Sequence, residues 1–482
     1  MRSFSRIAHI PHLSEFMRKA TPTEPLENLN GLKYYIKTYG CQMNVNDTEI
    51  VNSILQKSGL TEVETESEAE LVLLNTCSIR DKAEAKVKQK LRDLKHLNAK
   101  VGVLGCMAER LRSSLIEEKL AHLVVGPDAY RSLPELVKAI VVEGQQEAMD
   151  VQLSLEETYS DITPVRHNKT SAFISVMRGC NNMCSFCVVP FTRGRERSRP
   201  LSSIVEEAKS IAEAGVKEIT LLGQNVNSYC DMSTPLEVAH MNTPGFSELY
   251  KLRQGPGARF EHLLASVAEA VPNVRIRFTS PHPKDFPQGV IEAIKQYPNI
   301  CNQVHLPLQS GSDAVLNNMR RLYTQKAFLE LADRLREEIP GVALSTDIIA
   351  GFCGETEEDH QETLKVVKHV EFEQAFMFAY SMRSKTHAYN TMTDTVPEEI
   401  KKRRLSEVIE AVQELQFKKN QREIGRVHEV LVEGPPKKPG ADWTGRTDTN
   451  KRVVGKGPSK EGSLIKVHVD QASAHTLIGH KI

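Results

Sequence analysis

The sequence carries no net charge and no long apolar run. Its 62 lysine and arginine residues balance 62 acidic residues, so no global electric field draws the chain to nucleic acid or to a membrane surface. No apolar stretch approaches the roughly 20 residues that a helix needs to cross a bilayer, and we therefore expect no membrane partner. The 482 residues suffice for two to four domains, each with its own core.

The sequence also lacks the pattern of a secretory signal peptide, although it contains nine cysteines. Cysteines without a secretory leader are typical of a reducing compartment, where thiols serve metals or catalysis. The first 20 residues contain four basic residues and one acidic residue, with serines between them. This bias is typical of an organelle transit peptide, and a disordered start explains it about equally well.

Three cysteines form a C-x3-C-x2-C run at the end of an apolar segment: Cys180, Cys184 and Cys187. Three thiolates leave one iron of a four-iron cluster without a protein ligand, and an open iron can bind a cofactor. A zinc knuckle is the alternative, because C-x2-C is also half of a zinc site. Zinc would need one more Cys or His nearby, and residues 188–200 contain neither. The run therefore favours an iron–sulfur cluster.

Three further cysteines, Cys41, Cys77 and Cys106, each follow a short apolar or β-branched run and precede a helix-like stretch. The helical stretches are residues 47–56, 81–94 and 108–120, and a fourth strand is predicted at 122–125. Alternating strands and helices predict a parallel sheet with these cysteines at the carboxyl ends of its strands, where such sheets bind ligands. Three unrelated buried cysteines are the alternative. The repeated placement favours a second open cluster.

From residue 170 the chain alternates six predicted strands with helical stretches. The strands are residues 171–177, 218–222, 275–279, 303–308, 343–349 and 375–380. Six such units favour a partial or complete parallel barrel, with its active site at the carboxyl ends of the strands. Polar, glycine-rich residues follow four of these strands, at 223–225, 280–282, 309–311 and 351–355. We interpret them as the rim of a cofactor and substrate pocket, although ordinary turns share this composition.

Three further segments differ from these units in composition, and each leads to a separate prediction. Residues 227–260 lack a clear period and predict a disordered insertion after the second strand. Residues 425–482 predict a small β-barrel with ten basic and six acidic residues, which suits RNA, although a solvated basic face is the alternative. The arginines of residues 193–199 are expected to contact an RNA backbone or a cofactor carboxylate, with an exposed charged loop as the alternative. Cys230, Cys301 and Cys353 are expected to be inert.

With these pieces in place, the chain after residue 31 resembles the radical S-adenosylmethionine (SAM) methylthiotransferases, and most of all the MiaB type. The matching strings are residues 38–44 (TYGCQMN), 75–80 (NTCSIR), 105–106 (GC) and 178–194 (RGCNNMCSFCVVPFTRG). Residues 431–434 (LVEG) and 444–450 (TGRTDTN) resemble the RNA-binding TRAM domain. The insertion and residues 193–200 resemble the eukaryotic, mitochondrial branch of the family, which is named for association with a cyclin-dependent-kinase regulatory subunit.

The resemblance implies an α/β fold with three domains. These are an N-terminal parallel α/β domain, a radical SAM (βα)6 partial barrel and a C-terminal small TRAM β-barrel. The corresponding boundaries are 1–32 for an extension or transit peptide, 33–147 for the N-terminal domain, 148–169 for a linker, 170–424 for the radical SAM domain and 425–482 for the TRAM domain.

The resemblance also implies two [4Fe–4S] clusters and two SAM molecules. The cluster on Cys180, Cys184 and Cys187 would reduce SAM, and the resulting radical would take hydrogen from C2 of N6-isopentenyladenosine next to the tRNA anticodon. Sulfur held on the cluster of the other three cysteines would then be inserted and methylated. The residues expected to contact SAM are Phe186, Gly223, Gln224, Gln309 and Asp347.

The implied partners are tRNA and, as a candidate, the kinase regulatory subunit, whereas the sulfur donor and the electron donor stay unidentified. The implied location is mitochondrial, with cytoplasmic as the alternative. Two other functions are considered: methylthiolation of a ribosomal protein, and a non-enzymatic kinase-regulating protein. The second would not need six cysteines in two open-cluster arrangements.

Overall fold

A computed structural model describes residues 29–78, 81–234, 256–436 and 440–482. The predicted transit peptide and most of the predicted insertion lie outside these residues. The chain forms two compact units. The first contains Met1–Val165 and Phe191–Arg197, and the second contains Arg166–Pro190 and Ser198–Ile482.

The first unit is a six-stranded parallel sheet with the strand order β2-β1-β3-β4-β5-β6. Its strands are β1 (Lys33–Tyr39), β2 (Thr61–Glu62), β3 (Leu71–Thr76), β4 (Lys100–Gly105), β5 (Leu123–Val125) and β6 (Ala148–Asp150). Its helices are α1 (Gln42–Lys57), α2 (Asp81–Asp93), α3 (Cys106–Leu111), α4 (Ser114–Glu117) and α5 (Leu133–Val137). This confirms the predicted parallel α/β fold of the N-terminal region.

Both faces of this sheet are covered, as in other parallel sheets. Every residue of β3 is buried. Leu71 and Leu73 pack into one apolar cluster, whereas Val72 and Leu74 pack into another on the opposite face. Alternation of side chains between the two faces of a strand explains why this short apolar run supplies two cores.

The structure corrects the predicted bounds of two helices and of the linker. The first helix begins at Gln42, directly after Cys41, and not at residue 47. The third predicted helix is broken into α3 and α4, because Arg112 has a φ of 47°. The segment predicted as a linker begins with the edge strand β6, and its buried Tyr159 stacks on Tyr130 with ring centroids 5.7 Å apart.

The second unit contains the predicted partial barrel. Along the chain from residue 166 to the C-terminal barrel, the strands are β7 (Ser171–Ser175), β8 (Met177–Arg178), β9 (Arg197–Ser198), β10 (Glu218–Leu222), β11 (Cys230–Asp231), β12 (Ala258–Arg259), β13 (Arg275–Phe278), β14 (Gln303–His305), β15 (Ala343–Ala350) and β16 (Gln374–Ala379). The helices are α6 (Val189–Thr192), α7 (Leu201–Glu213), α8 (Phe260–Ala270), α9 (Gln288–Gln296), α10 (Asp313–Asn318), α11 (Gln325–Glu338), α12 (Glu357–Val370), α13 (His387–Thr391) and α14 (Glu398–Gln421).

Six of these strands form one curved parallel array. Strands β7, β10 and β13 are neighbours in one sheet, and β14, β15 and β16 are neighbours in another. A parallel bridge between Ile276 and Ile300 links the two halves. The outward-facing side chains pack with the helices into one large apolar cluster. All six strands begin within a residue of their predicted starts, which confirms the partial barrel.

The ends of the predicted insertion are part of this unit. Strands β11 and β12 pair antiparallel, with Cys230 opposite Arg259 and Asp231 opposite Ala258. The two ends of the segment are therefore joined by a short ladder. Residues 235–255, where a disordered loop was predicted, lie outside the described residues.

The C-terminal segment is a closed barrel with the strand order β17-β18-β19-β21-β20. Its strands are β17 (Val427–Gly434), β18 (Trp443–Thr447), β19 (Arg452–Lys456), β20 (Leu464–Ala472) and β21 (Leu477–Lys481). Trp443 is buried in its apolar core, so the single tryptophan of the chain packs inside the barrel and presents no stacking surface. The predicted small β-barrel is confirmed.

The turn after β18 packs against the amino-terminal ends of the partial-barrel strands. Arg277 donates hydrogen bonds to the backbone oxygens of Asp448, at 2.7 Å, and Thr447, at 2.8 Å. The backbone N–H of Asn302 donates to the Asp448 carboxylate at 2.9 Å. Part of the string 444–450 therefore joins the two barrels. Among the described residues, no helix combines the length and apolar character needed to cross a bilayer.

Candidate functional site

The first set of cysteines lies at one edge of the sheet in the first unit. Strands β1, β3 and β4 are neighbours, and their last residues, Tyr39, Thr76 and Gly105, are aligned with one another. Cys41, Cys77 and Cys106 follow these three residues by one or two positions. The cysteines thus lie at the carboxyl ends of adjacent parallel strands, as predicted from the repeated unit.

Glycines shape two of these strand ends. Gly40 has a φ of 147°, and a Cβ atom there would lie 2.3 Å from Oδ1 of Asn44 and 2.8 Å from Cβ of Cys77. Gly105 has a φ of 86°, and a Cβ atom there would lie 2.8 Å from the backbone oxygen of Thr76. Both positions combine a left-handed φ with close approach of the neighbouring strand end, which only glycine tolerates. Backbone geometry therefore requires a glycine directly before Cys41 and directly before Cys106.

Two buried asparagines tie these strand ends together. Nδ2 of Asn75 donates to the backbone oxygen of Asn44 at 2.9 Å, and Nδ2 of Asn44 donates to the backbone oxygen of Thr76 at 3.2 Å. The backbone N–H of Cys41 donates to Oδ1 of Asn44 at 3.3 Å. Asn75 begins the string 75–80 that resembles the methylthiotransferases, and here it holds the loops that present the cysteines. Ile79 and Arg80 of that string lie outside the described residues.

An arginine that is distant in sequence lies beside the first cysteine set. Nε of Arg193 donates to Sγ of Cys106 at 3.2 Å, and its Nη2 lies 2.6 Å from Oδ2 of Asp47. The hydroxyl of Tyr130 donates to the same Asp47 oxygen at 3.2 Å. A hydrogen bond with Cys77 lowers the pKa of Cys41 to about 6, a shift that desolvation opposes and the charge of Arg193 assists. Burial raises the pKa of Cys106, and Arg193 partly offsets this effect.

The structure corrects the prediction for the basic stretch 193–199. Arg193, Arg197 and Arg199 are only 2%, 5% and 6% exposed. They form ion pairs with Asp47, Asp128 and Glu207 at 2.6, 2.9 and 2.6 Å. A guanidinium that is buried and paired cannot also bind a phosphate without losing its partner. Arg195 is the exposed arginine of this stretch.

The second set of cysteines occupies the loop after β8 in the second unit. Cys180 and Cys184 are buried and Cys187 is half-buried. Arg321 extends from the chain after α10, and its Nη1 donates to Sγ of Cys184 at 3.3 Å. Its other nitrogens donate to the hydroxyl of Tyr323 and to the backbone oxygen of Pro307. A buried guanidinium is therefore held against one thiol of this set also.

The loop itself is anchored by Ser185. Its backbone N–H donates to the backbone oxygen of Met319 at 3.0 Å, and its hydroxyl donates to that of Asn318 at 2.7 Å. The neighbouring Phe186 packs against an apolar cluster that contains Phe352 and Tyr380. These contacts fix the loop between its second and third cysteines.

Apart from Phe186, the residues predicted to contact SAM form two groups in the structure. Gly223 and Gln224 follow β10, and Oε1 of Gln224 accepts a hydrogen bond from the backbone N–H of Gly179, directly before Cys180, at 2.5 Å. Gln309 and Asp347 are joined by a backbone hydrogen bond of 2.8 Å. The Asp347 carboxylate also lies 3.3 Å from Nε2 of His305. The first group is thereby connected to the cysteine loop.

Two amide nitrogens of this region fit a polar ligand. Nε2 of Gln224 and Nδ2 of Asn182 are buried, and neither has a hydrogen-bond partner among the described residues. Buried polar atoms in native proteins nearly always have a partner. Donors in these positions suit the acceptor groups of a bound polar cofactor, so the residues present fit SAM.

The chemistry of the two donor sets fits an iron–sulfur cluster. Each set offers three thiols, the groups by which proteins hold such clusters. One thiol of each set also accepts a hydrogen bond from a buried guanidinium, which would orient that ligand.

The other three cysteines, Cys230, Cys301 and Cys353, are buried. Cys353 packs in the apolar cluster beside Phe352 and Tyr380. Burial raises the pKa values of Cys301 and Cys353. Protonated, buried thiols are poor nucleophiles, which agrees with the prediction that these cysteines are inert.

The C-terminal barrel has an exposed basic groove. A cavity of about 720 Å³ is lined by Lys460, Lys466 and Lys481 together with Asp442. All three lysines are exposed. By contrast, Arg446 pairs with Glu433 at 3.0 Å. Lysines thus supply the positive charge of this groove.

Comparison with protein families matches three parts of the chain. Residues 33–126 match the uncharacterized protein family UPF0004, residues 174–367 match the radical SAM superfamily and residues 421–482 match the TRAM domain. The superfamily implies a [4Fe–4S] cluster and SAM.

Two curated relatives resemble nearly the whole chain. "Mitochondrial tRNA methylthiotransferase CDK5RAP1" of Mus musculus is 48% identical over 99% of this chain and 88% of its own length. "tRNA-2-methylthio-N(6)-dimethylallyladenosine synthase" of Chloroherpeton thalassium is 45% identical over 93% of this chain and 96% of its own length. The chain belongs to the radical SAM methylthiotransferase family.

A solved structure shares the fold. The radical SAM methyltransferase TsrM from Kitasatospora setae superposes with a TM-score of 0.54, covering 75% of this chain and 77% of that one. Its sequence identity is 15%, so this likeness concerns the fold alone.

Sequence reasoning missed the residues that support the two cysteine sets. Asp47 and Arg321 lie outside the matching strings, and each becomes significant only through a distant partner. Asn44 ends the string 38–44, but no role was predicted for it. The one available signal was composition: an acidic or amide side chain within the apolar face of a helix suggests a buried polar contact.

Proposed function

We propose that this protein converts N6-isopentenyladenosine next to the tRNA anticodon to its 2-methylthio derivative. The observation that carries the proposal is the pair of three-cysteine sets, one at the carboxyl ends of three adjacent parallel strands and one in the loop after β8, each beside a buried arginine. The names of the curated relatives support the reaction and the nucleoside.

The second unit would hold the SAM-dependent chemistry. Cys180, Cys184 and Cys187 would be the ligands of a [4Fe–4S] cluster, which together with SAM supplies the one-electron chemistry that an unactivated aromatic C–H bond requires. Gln224 and Asn182 would direct amide N–H groups at polar atoms of SAM, and Phe186 would pack nearby. Arg321 would orient the Cys184 side chain by donating a hydrogen bond to its sulfur.

The first unit would hold the second cluster of the protein. Cys41, Cys77 and Cys106 are the only cysteines of that unit, and three thiolates again leave one iron open. Ligand thiols must lose their protons to bind iron. The low pKa of Cys41 and the guanidinium of Arg193 beside Cys106 both favour the thiolate. An open iron in this unit could bind the sulfur atom that is transferred to the product.

The C-terminal barrel would contact the tRNA backbone through its lysine groove. Lysine binds phosphate as a point charge, without the geometric demand of arginine. The adenine of an anticodon loop is unpaired, so bringing it to a site at the strand ends costs little unstacking energy. Substrate recognition would thus combine a phosphate contact at the lysines with a base pocket elsewhere.

We also propose that the protein acts in mitochondria, because the first 20 residues have a transit-peptide composition and the mouse relative is named as mitochondrial. Association with a kinase regulatory subunit stays a prediction, and the sulfur and electron donors are left open.

The test is nucleoside mass spectrometry of mitochondrial and cytoplasmic tRNA from cells that lack the protein. We expect 2-methylthio-N6-isopentenyladenosine to disappear from the mitochondrial pool and N6-isopentenyladenosine to rise in its place. Re-expression of the wild-type chain or of Cys301→Ala should restore the product, and Cys77→Ala should not. Wild-type levels in every compartment would reject the proposed function, and an unmodified ribosomal protein in the same cells would favour the alternative substrate.

A further inference from the structure

The C-terminal barrel carries a side-chain cluster that the proposed reaction does not use. His468 lies on β20 and His480 on β21, and the two residues are directly opposite each other in the antiparallel pair. Their ring centroids are 5.3 Å apart. The neighbours Val467 and Val469 point into the barrel core, so both imidazoles project from the outer surface.

A β-bulge brings a carboxylate to the same place. The register between β20 and β21 shifts between Val469 and Gln471, which leaves Asp470 as the extra residue. Bulges of this kind re-aim one side chain relative to the sheet. The Asp470 carboxylate lies between the rings, with Oδ1 at 3.0 Å from Nδ1 of His468 and Oδ2 at 2.8 Å from Nδ1 of His480.

These separations are close to those within a metal site. Each of the three residues offers one ligand atom, and these atoms all lie within 4.8 Å of one another. Two ligands held at about 2.1 Å by one tetrahedral ion lie roughly 3.4 Å apart. Small side-chain rotations would therefore let all three atoms reach a common ion.

We propose that His468, Asp470 and His480 form a surface site for one divalent transition-metal ion of the zinc class. Two imidazoles and a carboxylate are a donor set that suits zinc and its neighbours better than magnesium or calcium. The bound ion would connect β20 with β21 beside the bulge. It would retain open positions for water or for another ligand.

The exposure of the cluster agrees with this assignment. The three side chains are exposed by 38%, 42% and 58% in sequence order, so a hydrated ion can reach them.

A second group with suitable residue types is a weaker candidate. Glu357, His360 and Glu407 also offer atoms within 4.8 Å of one another. Arg403, however, lies 2.5 Å from the Glu357 carboxylate and 2.6 Å from that of Glu407. A guanidinium already neutralises this pair, and it would repel an incoming cation.

The test is anaerobic calorimetric titration of zinc into the full-length protein with its iron–sulfur clusters reconstituted. We expect one saturable zinc equivalent in the wild type that disappears, or weakens at least about tenfold, in His480→Ala and in Asp470→Asn. His475→Ala is the matched control, because His475 is exposed on the same barrel but outside the cluster, and it should keep that equivalent. Circular dichroism checks that each variant is folded.

Thermal unfolding supplies an independent readout. Zinc should raise the melting temperature of the wild type and of His475→Ala, because an ion that binds only the folded state stabilises it, and should not raise that of His480→Ala. Equal zinc affinity in the wild type and in both cluster variants would overturn the proposal. Absence of any saturable site in the wild type would also overturn it and would leave Asp470 as a carboxylate shared by two imidazoles.

Discussion

Arg193 donates a hydrogen bond through Nε to Sγ of Cys106 at 3.2 Å and forms an ion pair through Nη2 with Asp47 at 2.6 Å. Both partners are buried. One side chain therefore links a candidate cluster ligand to the first helix of the same unit. Arg321 has an analogous relationship with Cys184 at 3.3 Å, so each cysteine set has one buried guanidinium beside a thiol.

The first prediction concerns Arg193. Replacement by Gln should deprive the buried Asp47 carboxylate of its guanidinium, and breaking a buried ion pair in this way destabilises a protein by about 3–5 kcal/mol. It should also reduce iron retention, because Cys106 loses a donor that favours its thiolate. The melting temperature and the iron content should both fall. Arg195→Gln is the matched control, since Arg195 lies two residues away and is exposed, and it should change neither. Wild-type iron content in folded Arg193→Gln would contradict this role.

The second prediction concerns the number of clusters. Anaerobically reconstituted protein should contain about eight irons per chain, because two cubanes of four irons are expected. Simultaneous replacement of Cys180, Cys184 and Cys187 by Ala should halve the iron and abolish SAM cleavage. Cys301→Ala should retain both properties, because Cys301 is buried just before the amino-terminal end of β14 and belongs to neither set. SAM cleavage by the triple variant would refute the assignment of this loop.

The third prediction separates the two cysteine sets by function. Cys77→Ala removes one thiol from the first unit and leaves the loop of the second unit intact. We expect this variant to form 5′-deoxyadenosine from SAM, and we expect no methylthio product on tRNA. Chromatography of the nucleosides and of the SAM products measures both outcomes. If the variant forms product at the wild-type rate, the first set serves structure and not sulfur transfer.

The fourth prediction concerns tRNA binding. Replacing Lys460, Lys466 and Lys481 by Ala should weaken tRNA binding at low salt. It should also reduce the slope of log affinity against log salt concentration by about 0.7–0.9 for each phosphate that the variant no longer neutralises. SAM cleavage without RNA should persist. An unchanged salt slope would exclude this groove as the phosphate-binding surface.

These substitutions are a cleaner test than removal of residues 425–482. Arg277 donates to the backbone oxygens of Thr447 and Asp448, and Arg275 donates to those of Arg446 and Glu429. Deletion of the C-terminal barrel would remove these acceptors from two arginines at the base of the partial barrel. A fall in activity after deletion would therefore report on folding as well as on RNA binding.

The α/β fold of both units, the small barrel and the positions of all six candidate ligands could be predicted from the sequence. These features follow from local information: apolar runs of strand length, the helical stretches between them, and cysteines placed directly after strands. The cysteines of the first unit share one edge because β1, β3 and β4 are parallel neighbours, and parallel strands bring their carboxyl ends together.

The roles of the charged residues depend on the folded structure. The sequence predicted that the arginines of residues 193–199 contact an RNA backbone or a cofactor carboxylate. Arg193, Arg197 and Arg199 are instead buried in ion pairs with acidic residues. Asp47 lies 146 positions from Arg193, and Cys184 lies 137 positions from Arg321. The sequence shows that a residue is charged. Whether that residue is buried and paired depends on distant parts of the chain that pack against it in the folded protein.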